Sequence, residues 1–231
     1  MANVRNYQKE LDKLIDGLIK QDKVPTLFLH SCCAPCSSYV LEYLRQYFKI
    51  TVFYYNPNIS AEPEYVKRVE EQKRLIAAYN AQALDGFAKL AGGTWGKVYP
   101  IDIVEGDYIP QEFYEIAKGL EQCPEGGERC FKCYELRLKK TVQKALELGF
   151  DYFATTLTIS PLKNSPKLNE IGERLSGEYG VAWLPSDFKK KNGYKRSIEL
   201  SAEYDLYRQD YCGCIYSKVE REKQKQLEIL M

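Results

Sequence analysis

The apolar and polar positions in the first half of the chain follow two periods, which predict strands that alternate with helices. A helical period covers residues 5–21, and a short apolar run at 26–30 is typical of a buried strand. A loop of small residues at 31–36 separates this strand from a second helix. Next comes a strand at 50–55, which Asn-Pro-Asn ends. A charged helix at 63–78 follows it. This half therefore has a βαβα pattern after an initial helix.

The second half of the chain continues the alternation. We expect a strand at 98–103, a helix at 111–120, a glycine-rich loop at 125–128, a helix at 130–148, strands at 152–158 and 181–184, and a helical segment at 197–231 interrupted by Cys-Gly-Cys. Such alternation predicts an α/β fold of the Rossmann or nucleotide-hydrolase kind, with a mostly parallel sheet flanked by helices. We expect one domain of 231 residues with a helical C-terminal extension. Ligands of such folds bind at the carboxyl ends of strands, where the loop after His30 is expected.

Composition and charge narrow the class of protein. Hydrophobic residues make up 45% and charged residues 28% of the chain, and no apolar run approaches the roughly 18 residues that span a bilayer. The N-terminal residues are polar and lack the apolar centre of a secretory signal, so we expect a cytoplasmic protein with no membrane partner. The net charge of +1 means that any nucleic-acid binding depends on a local basic patch.

Eight cysteines fall into three groups with long cysteine-free stretches between them. The groups are Cys32, Cys33 and Cys36; Cys123, Cys130 and Cys133; and Cys212 and Cys214. In a reducing compartment, thiols serve as metal ligands, nucleophiles or redox pairs more often than as structural bridges. Clustering of this kind indicates chemistry on thiolates, although we interpret Cys123 as a bystander.

The first two groups are typical of a metal site. Cys32, Cys33 and Cys36 precede a predicted helix, whose N-terminal amides and dipole favour thiolates. Adjacent cysteines do not readily bond to each other, but they can bind different irons of one cluster. Cys130 and Cys133 form a CxxC motif that opens a helix, and the two groups together supply enough thiolates for a four-cysteine site. From these residues alone, an iron–sulfur cluster and a zinc ion both fit.

The third group favours a redox pair. A disulfide between Cys212 and Cys214 would close a very small loop with strained geometry and little entropic stabilisation. Strained disulfides have high reduction potentials and act as redox couples. Metal ligation by one or both cysteines is the alternative.

His30, the only histidine, ends the first predicted strand beside the cysteines. A histidine at a strand end is usually packed or hydrogen-bonded, although here it could tune a thiolate or pass a proton. We therefore keep it as a candidate catalytic residue.

Residues 188–196 interleave aromatic and basic side chains, a composition that suits phosphate contact and base stacking in RNA. A solvated loop would have the same composition. Tyr55 and Asn56, in the turn after the second strand, could line a pocket or simply form a turn. The candidate basic contacts are Lys189, Lys190, Lys191, Lys195 and Arg196.

Six motifs in one order resemble the QueH family of epoxyqueuosine reductases. They are HSCCAPCS at 30–37, YNPNI at 55–59, EGGERCFKCYELRL at 125–138, TTLTISP at 155–161, LPSDFKK at 184–190 and YRQDYCGC at 207–214. They are distributed from residue 30 to residue 214, over most of the chain, and are far more specific than a single CxxC.

The resemblance implies reduction of epoxyqueuosine to queuosine at the wobble position of tRNA, with a [4Fe–4S] cluster and without cobalamin. The implied partners are tRNA that contains epoxyqueuosine and an electron donor that the sequence does not identify. Cys36 could bind an adjacent mononuclear iron or zinc ion, with Asp187 as a candidate carboxylate. The implied cluster ligands are Cys32, Cys33, Cys130 and Cys133, and the implied redox pair is Cys212 with Cys214.

Two other functions are compatible with parts of the pattern. A tRNA sulfur-transfer enzyme also combines an α/β domain with a cysteine-bound cluster. Such enzymes activate their base with ATP through a glycine-rich loop, whereas Ser-Cys-Cys-Ala-Pro-Cys follows the first strand here. A zinc-stabilised RNA-binding module would account for the thiolates and the basic segment but not for Cys-Gly-Cys.

Overall fold

A parallel five-stranded sheet forms the centre of the computed structural model, which describes residues 5–90 and 93–230. The central sheet has the order β5-β2-β1-β6-β7, and β3 and β4 form a separate antiparallel hairpin. The strands, in chain order, are β1 (Thr26–His30), β2 (Lys49–Tyr54), β3 (Phe87–Lys89), β4 (Trp95–Lys97), β5 (Ile101–Glu105), β6 (Tyr152–Thr155) and β7 (Ala182–Trp183).

Helices pack on both faces of this sheet. They are α1 (Tyr7–Lys20), α2 (Ala34–Leu44), α3 (Glu62–Ala81), α4 (Pro110–Ala117), α5 (Glu128–Glu147), α6 (Ser165–Tyr179), α7 (Gly193–Glu203) and α8 (Ile215–Leu230), and a 3₁₀ turn covers Thr156–Ile159. Asparagine side chains cap two of them, because Asn6 accepts the N–H of Lys9 at the start of α1 and Asn164 that of Lys167 at the start of α6. Within the described residues, no helix combines the length and apolarity that a membrane crossing needs.

The hydrophobic core has a layer on each face of the sheet, as the alternation of side chains along a strand requires. Leu27 and Leu29 of β1 pack with α1, α2 and α3 in one layer. Phe28, between them in sequence, packs with α5 and α6 in the other layer. Both layers are fully buried at β1, which fixes this strand in the middle of the molecule.

The chain leaves β1 through α2 to reach β2 on one side, whereas β6 pairs with β1 on the other side. Strand order reverses at this point, and α/β folds bind ligands in the crevice beyond the carboxyl ends of the two strands. The residues that follow the two strands meet here, because the N–H of Cys32 donates to Thr156 Oγ1 at 3.4 Å. The fold thus places the first cysteine group in the position where ligands bind.

The predicted α/β class, with a mostly parallel sheet flanked by helices, is confirmed, and a C-terminal helix follows Cys-Gly-Cys. The predicted C-terminal segment ends at Met231, which lies outside the described residues. The strand predicted at 152–158 is wrong in its second half. Thr155 Oγ1 accepts the N–H of Leu157 at 3.1 Å, which caps a 3₁₀ turn and ends the strand.

Three other features differ from the sequence prediction. The strand expected from residue 98 begins at Ile101, after the β3–β4 hairpin, which was not predicted. Helix α6 was not predicted either, although its buried side chains recur at helical spacing. The basic segment at 188–196 is partly helical, because α7 begins at Gly193.

Candidate active site

Cysteines lie at the N-termini of three helices. Cys33 directly precedes α2, Cys130 lies in the first turn of α5, and Cys214 directly precedes α8. The free amides and the dipole at a helix N-terminus favour negative charge. Thiolates and thiolate-bound centres are therefore favoured at all three positions.

The first cysteine group forms a compact triad at the start of α2. The sulfurs of Cys32, Cys33 and Cys36 all lie within 4.8 Å of one another, so the triad could bind a metal ion. Hydrogen bonds from Cys33 and Cys36 hold the pKa of the Cys32 thiol well below its usual value, and the same bonds raise the pKa of the two donors. One thiolate therefore forms readily in the triad, and Thr156 Oγ1 lies 3.6 Å from its sulfur.

Four cysteines of the other two groups line a narrow crevice between α5 and α8. Its cysteines are Cys130, Cys133, Cys212 and Cys214. Burial raises the pKa of the Cys133 thiol to about 11 and that of Cys214 to about 12. Backbone amides face two of the sulfurs, since Gly126 N lies 3.2 Å from Cys130 Sγ and Ser217 N lies 3.4 Å from Cys214 Sγ. Without a bound metal, the thiols of Cys133 and Cys214 therefore stay protonated at neutral pH.

The Cys-Gly-Cys loop is held by the turn after β2. Gly213 has a φ of +110°, and a β-carbon there would approach Ile59 Cγ1 to 2.9 Å, so only glycine fits. The carbonyl oxygen of Gly213 accepts the N–H of Ser60 at 3.1 Å. Arg68 Nη1 donates to the carbonyl oxygen of Cys212 at 3.2 Å. These contacts hold the loop in place through its own backbone carbonyl groups.

Arg137 is a fully buried cation beside the cysteines. Burial disfavours its charge, but the sulfurs of Cys133, Cys212 and Cys32 raise its pKa above the usual value. Its Nη1 donates weakly to Asn56 Oδ1 at 3.4 Å, and its Nη2 has no partner among the described residues. A buried cation without a carboxylate needs other negative charge nearby, which thiolates or a thiolate-bound cluster supply.

A more open pocket of about 280 Å³ lies over the cysteine triad. Glu125, Lys163 and Cys212 line both this pocket and the crevice, so they form the wall that the two cavities share. Aromatic, charged and hydroxyl side chains complete the pocket, and they include Arg68, Tyr194, Ser197, Arg208, Asp210 and Tyr211. The pocket combines thiols, cations and aromatic faces in one place.

The structure groups the predicted cluster ligands in two pairs. Cys32 and Cys33 lie in the triad, and Cys130 and Cys133 lie in the crevice. Within the described residues, the four sulfurs do not all come within 4.8 Å of one another. Ligands of one cluster bind different irons, so they need not approach as closely as ligands of one ion. The thiol donors and the unpaired Arg137 Nη2 fit an anionic metal centre.

His30 is fully buried, and both its ring nitrogens are occupied. Nε2 lies 3.1 Å from the carbonyl oxygen of Tyr55, which can only accept, so Nε2 carries the proton. Nδ1 then accepts from Thr155 Oγ1 at 2.9 Å. Burial lowers the pKa of His30 to about 3, and the ring is neutral. No ring nitrogen is left to exchange a proton with a ligand.

Asp187 lies away from the cysteine triad. Its carboxylate pairs with Lys189 at 2.8 Å and accepts a hydrogen bond from Ser165. It does not line the open pocket. Its position is behind the 3₁₀ turn, because Ser165 and Lys189 also donate to the carbonyl oxygen of Thr158.

Tyr55 and Asn56 connect loops rather than line the open pocket. Asn56 Nδ2 donates to the carbonyl oxygen of Ser31 at 2.8 Å, and its Oδ1 accepts from Arg137. The hydroxyl of Tyr55 donates to Glu112. Asn56 therefore fixes the backbone that enters the cysteine triad.

The basic segment lies on the outer side of α2 and α7. Lys191 pairs with Asp12 at 2.7 Å, and Arg196 pairs with Glu42 at 2.7 Å. Lys190 and Lys195 are exposed and have no ion pair among the described residues. Tyr194 and Ser197, one helical turn apart, face the open pocket instead. The segment thus borders the pocket and also presents charge to solvent.

Sequence reasoning missed three charged residues of the site, Lys163, Glu125 and Arg137. The only sequence signal is their position in or near a motif. Lys163 follows the TTLTISP motif closely, and the other two lie in EGGERCFKCYELRL. Lys163 and Arg137 are buried and Glu125 is half-buried, and burial of a charged residue in a loop or mid-helix leaves no local sequence signal. Cys123, interpreted as a bystander, lines neither cavity.

Comparison with known proteins gives concordant matches. A model of the family described as epoxyqueuosine reductase QueH matches residues 27–220. The chain is 45% identical over 212 residues to epoxyqueuosine reductase QueH of Streptococcus pyogenes serotype M1, covering 92% of this chain and 78% of that protein. It is 40% identical over 218 residues to the protein of the same name from Staphylococcus epidermidis, covering 94% and 86%. The corresponding protein of Thermotoga maritima is 33% identical over 207 residues, covering 88% and 95%.

Proposed function

The chain belongs to the QueH family of epoxyqueuosine reductases, and from this membership we propose that it reduces the epoxide of epoxyqueuosine to the cyclopentene of queuosine at the wobble position of tRNA. It is accordingly an oxidoreductase. The finer parts of the proposal are a [4Fe–4S] cluster, no requirement for cobalamin, and a cytoplasmic reaction where the tRNA substrate is found.

One observation carries the proposal, the convergence of seven cysteines on two adjoining cavities. Three cysteines line only the open pocket, three line only the crevice, and Cys212 lines both. The pocket volume of about 280 Å³ is near the lower end of the roughly 300–1,000 Å³ of small-molecule sites. A pocket of this size suits a single modified base that is turned out of the anticodon loop, and it is too small for an RNA helix.

The pocket's own side chains provide the contacts that an extruded base needs. Tyr194 and Tyr211 offer aromatic faces on which a base can stack. Arg68, Ser197 and Asp210 supply hydrogen-bond donors and acceptors for its edge and its diol. Base and substituent together would exclude water from the triad below.

Cys32, Cys33, Cys130 and Cys133 would hold the cluster. When bound, such a cluster supplies single electrons at low potential. Arg137, buried and without a carboxylate, would balance its negative charge. Cys36 would complete the triad as a ligand of an adjacent mononuclear iron or zinc ion. Asp187 would join that ion only after leaving Lys189.

Reduction of the epoxide takes two electrons, and a cluster delivers one at a time. Cys212 and Cys214 would act as a dithiol that cycles with a disulfide, and each oxidation of the dithiol would release the two electrons that one reduction takes. Support comes from their place in the crevice beside Cys130 and Cys133. The strained geometry expected for a bridge across one residue keeps such a pair easy to reduce.

The basic segment would bind the tRNA backbone through Lys189, Lys190, Lys191, Lys195 and Arg196. Exposed Lys190 and Lys195 are the side chains best placed for phosphates. Asn56, a predicted pocket residue, would instead support the pocket from behind through Ser31 and Arg137. Tyr55, the other predicted pocket residue, would be held by its hydrogen bond to Glu112.

The proposed function is tested with protein purified anaerobically, reconstituted with iron and sulfide, and given a chemical reductant without cobalamin. The substrate is tRNA that contains epoxyqueuosine, and its nucleosides are identified by mass spectrometry. We expect conversion to queuosine together with a broad visible absorption and stoichiometric iron and sulfide. A colourless zinc protein, or unchanged epoxyqueuosine with a fully loaded cluster, would contradict the proposal.

A further inference from the structure

Lys163 is a buried ammonium in the wall between the two cavities. Its side chain is only 7% exposed, and its Nζ lies 2.7 Å from Glu125 Oε1. It lines the open pocket and the crevice alike. A charged group is costly to bury, and Lys163 is held there by Glu125 and by its loop, because its backbone N–H donates to Ser160 at 3.2 Å. Lys163 therefore borders both the crevice and the pocket that contains the cysteine triad.

Other groups near the pocket are less suited to deliver a proton. His30 has both ring nitrogens engaged and is neutral. Arg68 and Arg208 line the pocket, but a guanidinium does not lose its proton in proteins. Tyr134 lines only the crevice. Tyr194 and Tyr211 line the pocket, but a neutral hydroxyl stabilises a developing oxyanion less than a cation does. Among the described nitrogen groups that line the pocket, Lys163 is the one that can give up a proton.

We propose that Lys163 donates a proton to the epoxide oxygen, an inference that rests on the proposed function. Two electrons from the reductase's electron donor enter the carbon that loses oxygen, and the first C–O bond breaks. The Nζ–H bond of Lys163 breaks as an O–H bond forms, and the nitrogen keeps the electron pair. The second C–O bond then breaks, hydroxide leaves and the C=C bond forms. Hydroxide takes the second proton from solvent, which also reprotonates Lys163.

The direction of this transfer follows from acidity. An alkoxide is a far stronger base than an amine, so even an ammonium stabilised by Glu125 protonates it. The ammonium also stabilises the developing oxyanion before the proton moves, in a pocket from which the bound base would exclude water. Protonation turns the oxygen into a better leaving group for the second bond cleavage.

Glu125 is a positioning residue in this scheme. Its Oε1 holds Lys163, and its Oε2 accepts a hydrogen bond from Ser217 Oγ at 3.0 Å. Ser217 Oγ in turn accepts the N–H of Cys212 at 3.0 Å. The position of the ammonium is thus coupled to the Cys-Gly-Cys loop through two hydrogen bonds.

The test compares Lys163→Met and Lys163→Ala with the wild type, all reconstituted in the same way. We expect kcat to fall about 100- to 10,000-fold. The Kd for substrate tRNA and the visible spectrum should stay close to those of the wild type, whereas the thermal midpoint of unfolding should fall because Glu125 loses its partner. Ethylammonium should restore turnover of Lys163→Ala in a saturable manner, whereas tetramethylammonium, a cation without an N–H, should not. Lys144→Ala serves as control, because Lys144 also pairs with a glutamate but on the surface.

Three results would overturn the inference while the wild type remains active. They are turnover of Lys163→Met within threefold of the wild type, rescue by tetramethylammonium equal to that by ethylammonium, and a loss of activity fully explained by lost iron or weaker tRNA binding. If Lys163→Met fails to fold, the double variant Lys163→Met with Glu125→Gln removes the unpaired carboxylate and allows the same measurements. Inactivity of the wild type itself would instead contradict the proposed function.

Discussion

The carbonyl oxygen of Cys133 accepts a hydrogen bond from Arg137 Nε at 3.2 Å, so a buried guanidinium lies one helical turn from a buried thiol. Within the described residues, no carboxylate pairs with this guanidinium, and its Nη2 is unpaired. A positive charge at such a place stabilises a centre more strongly as that centre gains electrons. We therefore expect Arg137 to influence the reduction potential of the proposed cluster.

Replacing Arg137 by Met should lower the reduction potential of the cluster by on the order of 50–100 mV, because the reduced and more negative state loses its compensating charge. Arg137→Lys should restore most of the difference. A redox titration followed by visible absorption measures the shift, and iron content serves as the check on occupancy. An unchanged potential in Arg137→Met with full iron would show that the guanidinium is structural only.

Serine replacements of Cys32, Cys33, Cys130 and Cys133 should each lower iron content and turnover together, since each removes one thiolate ligand. Iron and sulfide assays on anaerobically reconstituted protein make the measurement. Cys123→Ser is the matched control, because Cys123 lines neither cavity, and it should keep the wild-type iron content. Full cluster retention in all four variants would refute the assignment.

The sequence could predict the part of the site whose residues lie close together in a single loop. The triad follows directly from the strand at 26–30 and the helix after it, and both were predicted at that place. The part it could not predict depends on long-range packing. Cys212 reaches the wall of both cavities only because Gly213 packs against Ile59 and Arg68. Likewise, the 3₁₀ turn after Thr155 replaces a predicted strand because one hydroxyl captures a nearby N–H.

Serine replacement of Cys212 or Cys214 should leave the cluster spectrum largely intact while lowering multiple-turnover conversion. The reason is that a dithiol recycles electrons but need not hold iron. Iron content and turnover of each variant, measured on one preparation, separate the two roles. Iron loss as complete as in Cys130→Ser would identify these cysteines as ligands, and full turnover with full iron would exclude both roles.

Neutralising the five basic residues of 189–196 should weaken tRNA binding and flatten its dependence on salt. We expect Lys190→Gln with Lys195→Gln to account for most of the effect, because these two side chains are exposed and have no ion pair among the described residues. Lys191→Gln, which breaks the pair with Asp12, is the comparison. Binding is measured over a salt titration with the cluster monitored by absorbance. Identical salt slopes for the wild type and the five-fold variant would exclude the segment as the tRNA contact.

The last prediction concerns the stability of the fold in mild acid and depends on His30. Burial lowers its pKa to about 3 in the folded state, whereas an unfolded histidine has a pKa of about 6.5. Between these values the unfolded state binds a proton that the folded state does not, so stability falls as pH falls. From pH 7 to pH 5 this group should cost about 2 kcal/mol of unfolding free energy.

The variant His30→Gln keeps a donor for the carbonyl oxygen of Tyr55 but does not titrate. It should be less stable than the wild type at pH 7 and lose less stability on acidification. Urea unfolding at several pH values gives the two slopes, and because His30 is the only histidine, their difference isolates this residue. Parallel slopes in the two proteins would mean that His30 is not held neutral by the fold.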